Sequence, residues 1–204
     1  MTLRPFVTPL FLFLLAICLG LAVNAGLTSG LDKSLLGMIA MREGRSPALA
    51  IAAMQAARFI GDSSQRELWI VVFAAVLFWR RRPRAAIVMI VAPVLASVTS
   101  SVLKEMFARP RPSIVPHLDH VTNLSFPSGH AVNAAALFLL AALLIPGKAP
   151  RTHLTLAIAF MATIGFSRMA LGVHYPTDVV SGWLIGTAFA LAGVAIARAW
   201  ETQR

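Results

Sequence analysis

Apolar residues in this chain come in long blocks separated by short polar or basic segments, with no internal repeat and no low-complexity tract. The blocks predict membrane-spanning helices, each of which needs about 20 apolar residues. Phe6–Leu27 is the first, read as a retained helix, although its Val23-Asn24-Ala25 ending also resembles a signal-peptide end. Ser64–Trp79 forms a short second span and Ala85–Val102 a third. Ala131–Ile145, Leu154–Gly172 and Val179–Ala199 make the fourth, fifth and sixth. Between the first two spans, residues 29–66 mix apolar segments with Asp32, Lys33, Arg42, Glu43, Arg45, Arg58 and Asp62. Pro47–Ile60 within it reads as a helix too short and too polar to cross. It is expected to be interfacial or re-entrant, either lining a lipid entrance or serving as a packed connector.

Composition agrees with the pattern. Of 204 residues, 58% are hydrophobic and 13% charged, with a mean hydropathy of +0.77. A soluble domain carries roughly 25% charged residues. The expected class is therefore an all-α, polytopic membrane protein with six transmembrane helices in a single domain over residues 1–204. One cysteine, Cys18, excludes a disulfide framework, and no Cys/His cluster has metal-ligand spacing. The net charge of +10 sits at the ends of apolar runs, with no basic stripe interleaved with aromatics. It is read as topology signalling and attraction to anionic headgroups, and no nucleic-acid partner is expected. Placing Arg80-Arg81-Arg82-Pro83-Arg84 inside also puts the N-terminus, the Lys148–Arg151 turn and the C-terminus inside. The Lys104–Ser128 loop and the Ser167–Asp178 stretch then share the outer face.

Three outer segments, Lys104–Pro112, Phe126–His130 and Ser167–Asp178, hold the unusual chemistry. Ionisable groups at membrane depth are expensive and point to function. Ser167–Asp178 carries Arg168, His174 and Asp178. Pro176 disfavours a helical Tyr175 and suits a first turn, so His174 is expected just before a helix and Asp178 within its first turn. That geometry lets a carboxylate orient an imidazole. Lys104 and Arg111 add positive charge suited to phosphate oxygens. Pro127-Ser128-Gly129-His130 opens a helix whose free N–H groups form an anion site. Taken singly, Lys104 and Arg111 read as topology anchors, Ser128 and Gly129 as a helix start, and the histidines as interfacial. Arg168 would then simply pair with Asp178. Their recurrence at one face favours a common site. His117, Asp119 and His120 are expected to be solvated loop residues.

Lys104-x6-Arg111-Pro112, Pro127-Ser128-Gly129-His130 and Ser167-Arg168-x5-His174-x3-Asp178 together resemble the type 2 phosphatidic acid phosphatase (PAP2) superfamily. That superfamily includes membrane lipid phosphatases and vanadium haloperoxidases. The resemblance implies a catalytic region over residues 104–178. His174 would be the nucleophile that becomes phosphohistidine, Asp178 its orienting carboxylate, and His130 the acid for the leaving group. Lys104, Arg111, Arg168, Ser128 and Gly129 would cradle the phosphate, with no metal or other cofactor. The implied activity is hydrolysis of a lipid phosphate or diphosphate, such as undecaprenyl diphosphate, phosphatidylglycerol phosphate or phosphatidic acid. It would take place at the outer face of a bacterial-type inner membrane. The alternatives are a lipid phosphotransferase with an acceptor such as lipid A, or a non-catalytic lipid binder or transporter.

Overall fold

The structure, a computed structural model, describes residues 4–147 and 149–202. Met1–Leu3, Lys148, Gln203 and Arg204 lie outside the described residues, so the basic groups invoked there for orientation are only partly covered.

Among the described residues there are eight helices and no strand: α1 (Arg4–Asn24), α2 (Ser29–Ile39), α3 (Ala48–Ile60), α4 (Ser63–Trp79), α5 (Pro83–Phe107), α6 (Gly129–Leu144), α7 (Pro150–Ala170) and α8 (Pro176–Glu201). Proline stands at the first turn of α5, α7 and α8, where its missing N–H costs nothing. Four helices, α1, α5, α7 and α8, are long and apolar enough to cross a bilayer. Their outward side chains are apolar: Leu10, Phe11 and Leu14 on α1, Ile87, Val91 and Val94 on α5, and Leu156 and Ile158 on α7 are all exposed. In water such a surface would be a liability, whereas in lipid it is matched. The protein is an integral membrane protein.

The six-span expectation differs from this count at α4 and α6, of 17 and 16 residues. The reason for α6 lies in packing. From Ala131 to Ala141 every residue of α6 except Asn133 is buried, because α5, α7 and α8 pack around it. A helix sheathed by protein need not match the bilayer's hydrocarbon thickness. The polar segment at 29–66 holds two helices where the sequence suggested one, since α2 is an 11-residue piece ahead of α3.

Contact between α6 and α8 is close because Gly182 and Gly186 of α8 face it. A Cβ on Gly182 would stand 2.7 Å from Ser128 O, and one on Gly186 would meet Val132 O and the Ala135 Cβ. Small residues four apart let membrane helices approach backbone to backbone. At the far end of the bundle Arg82 donates to Glu201 and to Leu144 O, tying the start of α5 to the ends of α6 and α8. The opposite face therefore gathers the ends of α5 and α7 with the starts of α4, α6 and α8. Gly186→Leu should force α6 and α8 apart and cost about 1–3 kcal/mol or more, read as a lowered unfolding midpoint in detergent.

Candidate active site

His174 sits where the α7–α8 corner puts it. Gly172 has φ +76°, and a Cβ there would lie 2.8 Å from Pro116 O, so both the turn and the contact call for glycine. The N–H groups of Val173 and His174 then donate back to Arg168 O. Tyr175 is extended ahead of Pro176, and the Asp178 carboxylate accepts its N–H at 2.9 Å. The expectation for this stretch holds in detail: His174 precedes α8 and Asp178 lies in its first turn.

Asp178 is fully buried and fully partnered. Its Oδ1 accepts from Arg109 at 2.5 Å. Its Oδ2 accepts the Ser125 hydroxyl at 2.6 Å and stands 3.5 Å from His174 Nδ1. Ser125 Oγ is 3.3 Å from the same nitrogen. With the serine proton committed to Asp178, its lone pair faces Nδ1, and this network assigns the proton to Nδ1. Nε2 then stays unprotonated, the form of imidazole that acts as nucleophile or base. In this structure its lone pair accepts from the Arg111 guanidinium, with Nη1 3.1 Å away.

Six of the expected residues, Lys104, Arg111, Gly129, His130, Arg168 and His174, line one cavity of about 240 Å³. Ser128 and Asp178 stand behind it, both with no exposed surface, and are joined by the Ser128 N–H donating to Asp178 O at 2.9 Å. Lys104, in the last turn of α5, donates to Leu124 O at 2.6 Å. Ala108 ends α5 in the left-handed region at φ 44°, turning the chain so that Arg109 and Arg111 both enter the site. Burial, then the facing Arg168, push the Arg111 guanidinium down to about 10. The cations repel one another, and an anion would relieve that. Arg168 Nε and Nη1 and Ser128 Oγ are buried with no hydrogen-bond partner among the described residues. Buried donors left in this way are costly, and a phosphate accepts from such groups. Burial, then Arg111, Lys104 and Arg168, hold His174 well below the ordinary imidazole value. Among the described residues, no group of three or more His, Cys, Asp or Glu side chains could hold a metal ion.

One alternative is set aside and one expectation is corrected. Arg168 pairs with Asp119 at 2.6 Å, so the simple Arg168–Asp178 pair is not formed. Asp119 is not a solvated loop residue: its side chain is 8% exposed and also meets Arg58 at 3.1 Å. His117 and His120 stay on the loop surface, with His117 Nε2 2.6 Å from Pro112 O. His120 also lines the cavity.

Sequence reasoning missed Asp32, Arg109, Ser125 and the site roles of Arg58 and Asp62. Asp32 of α2 has no exposed surface. It accepts from Arg109 at 2.7 Å, from the Thr177 hydroxyl and N–H at 2.7 and 3.1 Å, and from Thr28 at 2.9 Å. Arg109 thus bridges two buried carboxylates, and its guanidinium lies 4.2 Å from the Tyr175 ring centroid. An aspartate in an apolar stretch and an arginine beside the first motif were the available signals. Arg58 and Asp62 line the cavity from the α3–α4 corner.

The fold and the cavity together define a class, the integral-membrane phosphatases with a histidine-lined, cation-rich site. The PAP2 superfamily profile matches residues 85–201. Phosphatidylglycerophosphatase B of Bacillus subtilis (strain 168) is 31% identical over 184 residues, 87% of this chain and 89% of that protein. An undecaprenyl-diphosphatase of Sulfolobus acidocaldarius is 30% identical over 145 residues, 68% of each chain. Among solved structures, a transmembrane PAP2-type phosphatidylglycerolphosphate phosphatase from Bacillus subtilis superposes with a TM-score of 0.83 at 26% identity, covering 96% of both chains. The chain belongs to the PAP2 superfamily.

Two predictions follow from this geometry. Asp32→Ala leaves Arg109 half-paired in a buried position and should cost about 3–5 kcal/mol, measured as a lowered unfolding midpoint. Because its depressed pKa keeps His174 neutral, kcat/KM should fall on the acidic side only below about pH 6.5. Lys104→Met removes a facing cation, stabilises the imidazolium and should move that limb to higher pH, read from the pH–rate profile.

Proposed function

We propose that the protein hydrolyses a lipid phosphate or diphosphate at the outer face of a bacterial-type inner membrane, through a phosphohistidine on His174. The observation that carries this reading is the convergence of His174, His130, Lys104, Arg111 and Arg168 on one cavity, with Asp178 behind His174. The phosphatase names of the relatives that match over most of the chain support it.

In the proposed reaction His174 Nε2 attacks phosphorus and the bond to the lipid oxygen breaks. His130 protonates the departing oxygen. Lys104, Arg111, Arg168, Ser128 and the α6 N-terminus around Gly129 hold the phosphoryl oxygens and stabilise charge in the transition state, commonly the largest catalytic contribution. Asp178 holds His174 in its Nδ1–H form, directly and through Ser125. Water, deprotonated by the now neutral His130, then attacks the phosphohistidine, releasing phosphate and restoring both histidines. No metal is needed in this scheme.

The topology we infer has six spans, α1 and α4 to α8, with α2 and α3 interfacial and Arg80–Arg84 inside, the whole chain acting as one unit. Exposed Leu68, Val71 and Phe78 on α4 support that helix as a lipid-facing span. Undecaprenyl diphosphate, phosphatidylglycerol phosphate and phosphatidic acid are the proposed substrate set.

Purified protein in detergent with EDTA should release phosphate from at least one of these lipids. His174→Ala should lower that rate at least about a thousandfold while leaving the elution profile unchanged. Phosphate release that is equal in both proteins would remove His174 as nucleophile, and release lost only with EDTA would remove the metal-free mechanism.

A further inference from the structure

A carboxylate outside all three motifs faces the second histidine. Asp62 occupies the N-cap position of α4 without a side-chain capping bond, and its Oδ1 lies 3.0 Å from His130 Nε2. The α3–α4 corner is pressed against that ring: a Cβ on Gly61 would stand 3.1 Å from His130 Cδ2 and 2.7 Å from the Ile164 side chain. Asp62 also meets Arg58 at 3.4 Å, Arg58 meets Asp119 at 3.1 Å, and Asp119 meets Arg168 at 2.6 Å. Alternating charges therefore run from His130 to the buried guanidinium of Arg168 along one wall of the cavity. The His130 ring, then Arg58, hold the Asp62 carboxyl below the usual carboxylate range against the opposing effect of burial. It is therefore anionic near neutral pH.

A carboxylate at Nε2 settles which ring nitrogen is committed. The Nε2–H points at Asp62, and Nδ1 makes no hydrogen bond among the described residues, so it is the nitrogen left for the cavity. Asp62 is the anion in hydrogen-bond contact with the ring.

We propose that Asp62 is the positioning residue of the leaving-group acid, directing Nε2–H to itself so that the Nδ1–H of the imidazolium is presented to the departing lipid oxygen. This rests on His130 being the acid in the reaction above. As His174 Nε2 bonds to phosphorus and the phosphorus–oxygen bond breaks, the electron pair left on oxygen takes the Nδ1 proton and His130 becomes neutral. In the second half its Nδ1 lone pair takes a proton from the attacking water as the phosphorus–nitrogen bond breaks. Asp62 remains a carboxylate throughout, and no proton is gained or lost overall. The α3–α4 corner thereby supplies a part of the site that residues 104–178 lack.

The test uses leaving groups that differ in their need for a proton. Nitrophenolate departs without one, whereas the alkoxide of diacylglycerol requires one. Wild type, His130→Ala and Asp62→Asn are compared on nitrophenyl phosphate and short-chain phosphatidic acid. The Asp62 side chain makes no capping bond to α4, and asparagine suits the N-cap position as well as aspartate, so α4 should still start correctly. In both variants the loss of kcat on phosphatidic acid should exceed the loss on nitrophenyl phosphate by at least about tenfold, out of the 10²–10⁴-fold, roughly, that general acid catalysis contributes. A purely structural role for Asp62 predicts equal losses on both substrates. Equal losses in Asp62→Asn, with unequal losses in His130→Ala, would overturn the role of Asp62 and leave the reaction scheme standing. Equal losses in His130→Ala would remove His130 as acid and the inference with it. Should Asp62→Asn fail to fold, Asp62→Glu, which displaces the carboxylate by one methylene, is read in the same way.

Discussion

Burying the carboxylate of Asp178 is the constraint around which the site is assembled. A charge with no exposed surface is tolerated only when every oxygen is bonded. Arg109, Ser125, the Tyr175 N–H and His174 meet that requirement. Each partner recruits another part of the chain. Arg109 needs a second anion and finds Asp32 on α2. Ser125 brings the loop before α6, and the backbone of Asp178 receives the Ser128 N–H. The helix starts of α6 and α8 are thus locked together beneath the cavity, and Gly182 and Gly186 let the two helices come close enough for it.

The cavity itself is the opposite case, since its cations are only partly compensated. Asp62 and Asp119 answer Arg58 and one edge of Arg168, while two nitrogens of Arg168 have no hydrogen-bond partner among the described residues. An apolar environment magnifies this imbalance. A site held this way is preorganised for an anion, because the donors are already in place and need not be reoriented from water. Under the proposed reaction the same field keeps His174 neutral and thus nucleophilic.

Residues 29–66 change character in this light. As sequence they are a polar interruption between spans. In the fold they contribute Asp32, which joins His174's partner Asp178 through Arg109, and Arg58 with Asp62 on the cavity wall. Neither contribution is periodic or motif-like. Asp62 and His130 are 68 residues apart, and Asp32 and Arg109 are 77 apart. Ion pairs of this kind leave no local signature, because each partner by itself looks like an ordinary polar residue at a helix end.

What the sequence by itself determined was whatever rests on local physics. Apolar run lengths placed α1 and α4 to α8, because a helix within the membrane, against lipid or against other helices, is apolar over most of its length, whereas α2 went unforeseen. Proline at 176 placed the α8 start, and with it His174 and Asp178, because a pyrrolidine ring restricts the residue before it. The chemical types in the three motifs marked the cation cluster. Only the tertiary structure decided the pairings: Arg168 with Asp119, Arg109 with two buried aspartates, Asp62 with His130. It also decided that α6 could be short, since burial on all sides frees a helix from matching the bilayer. A buried charge takes whichever partner the packing brings within reach, and that depends on how the helices are arranged together.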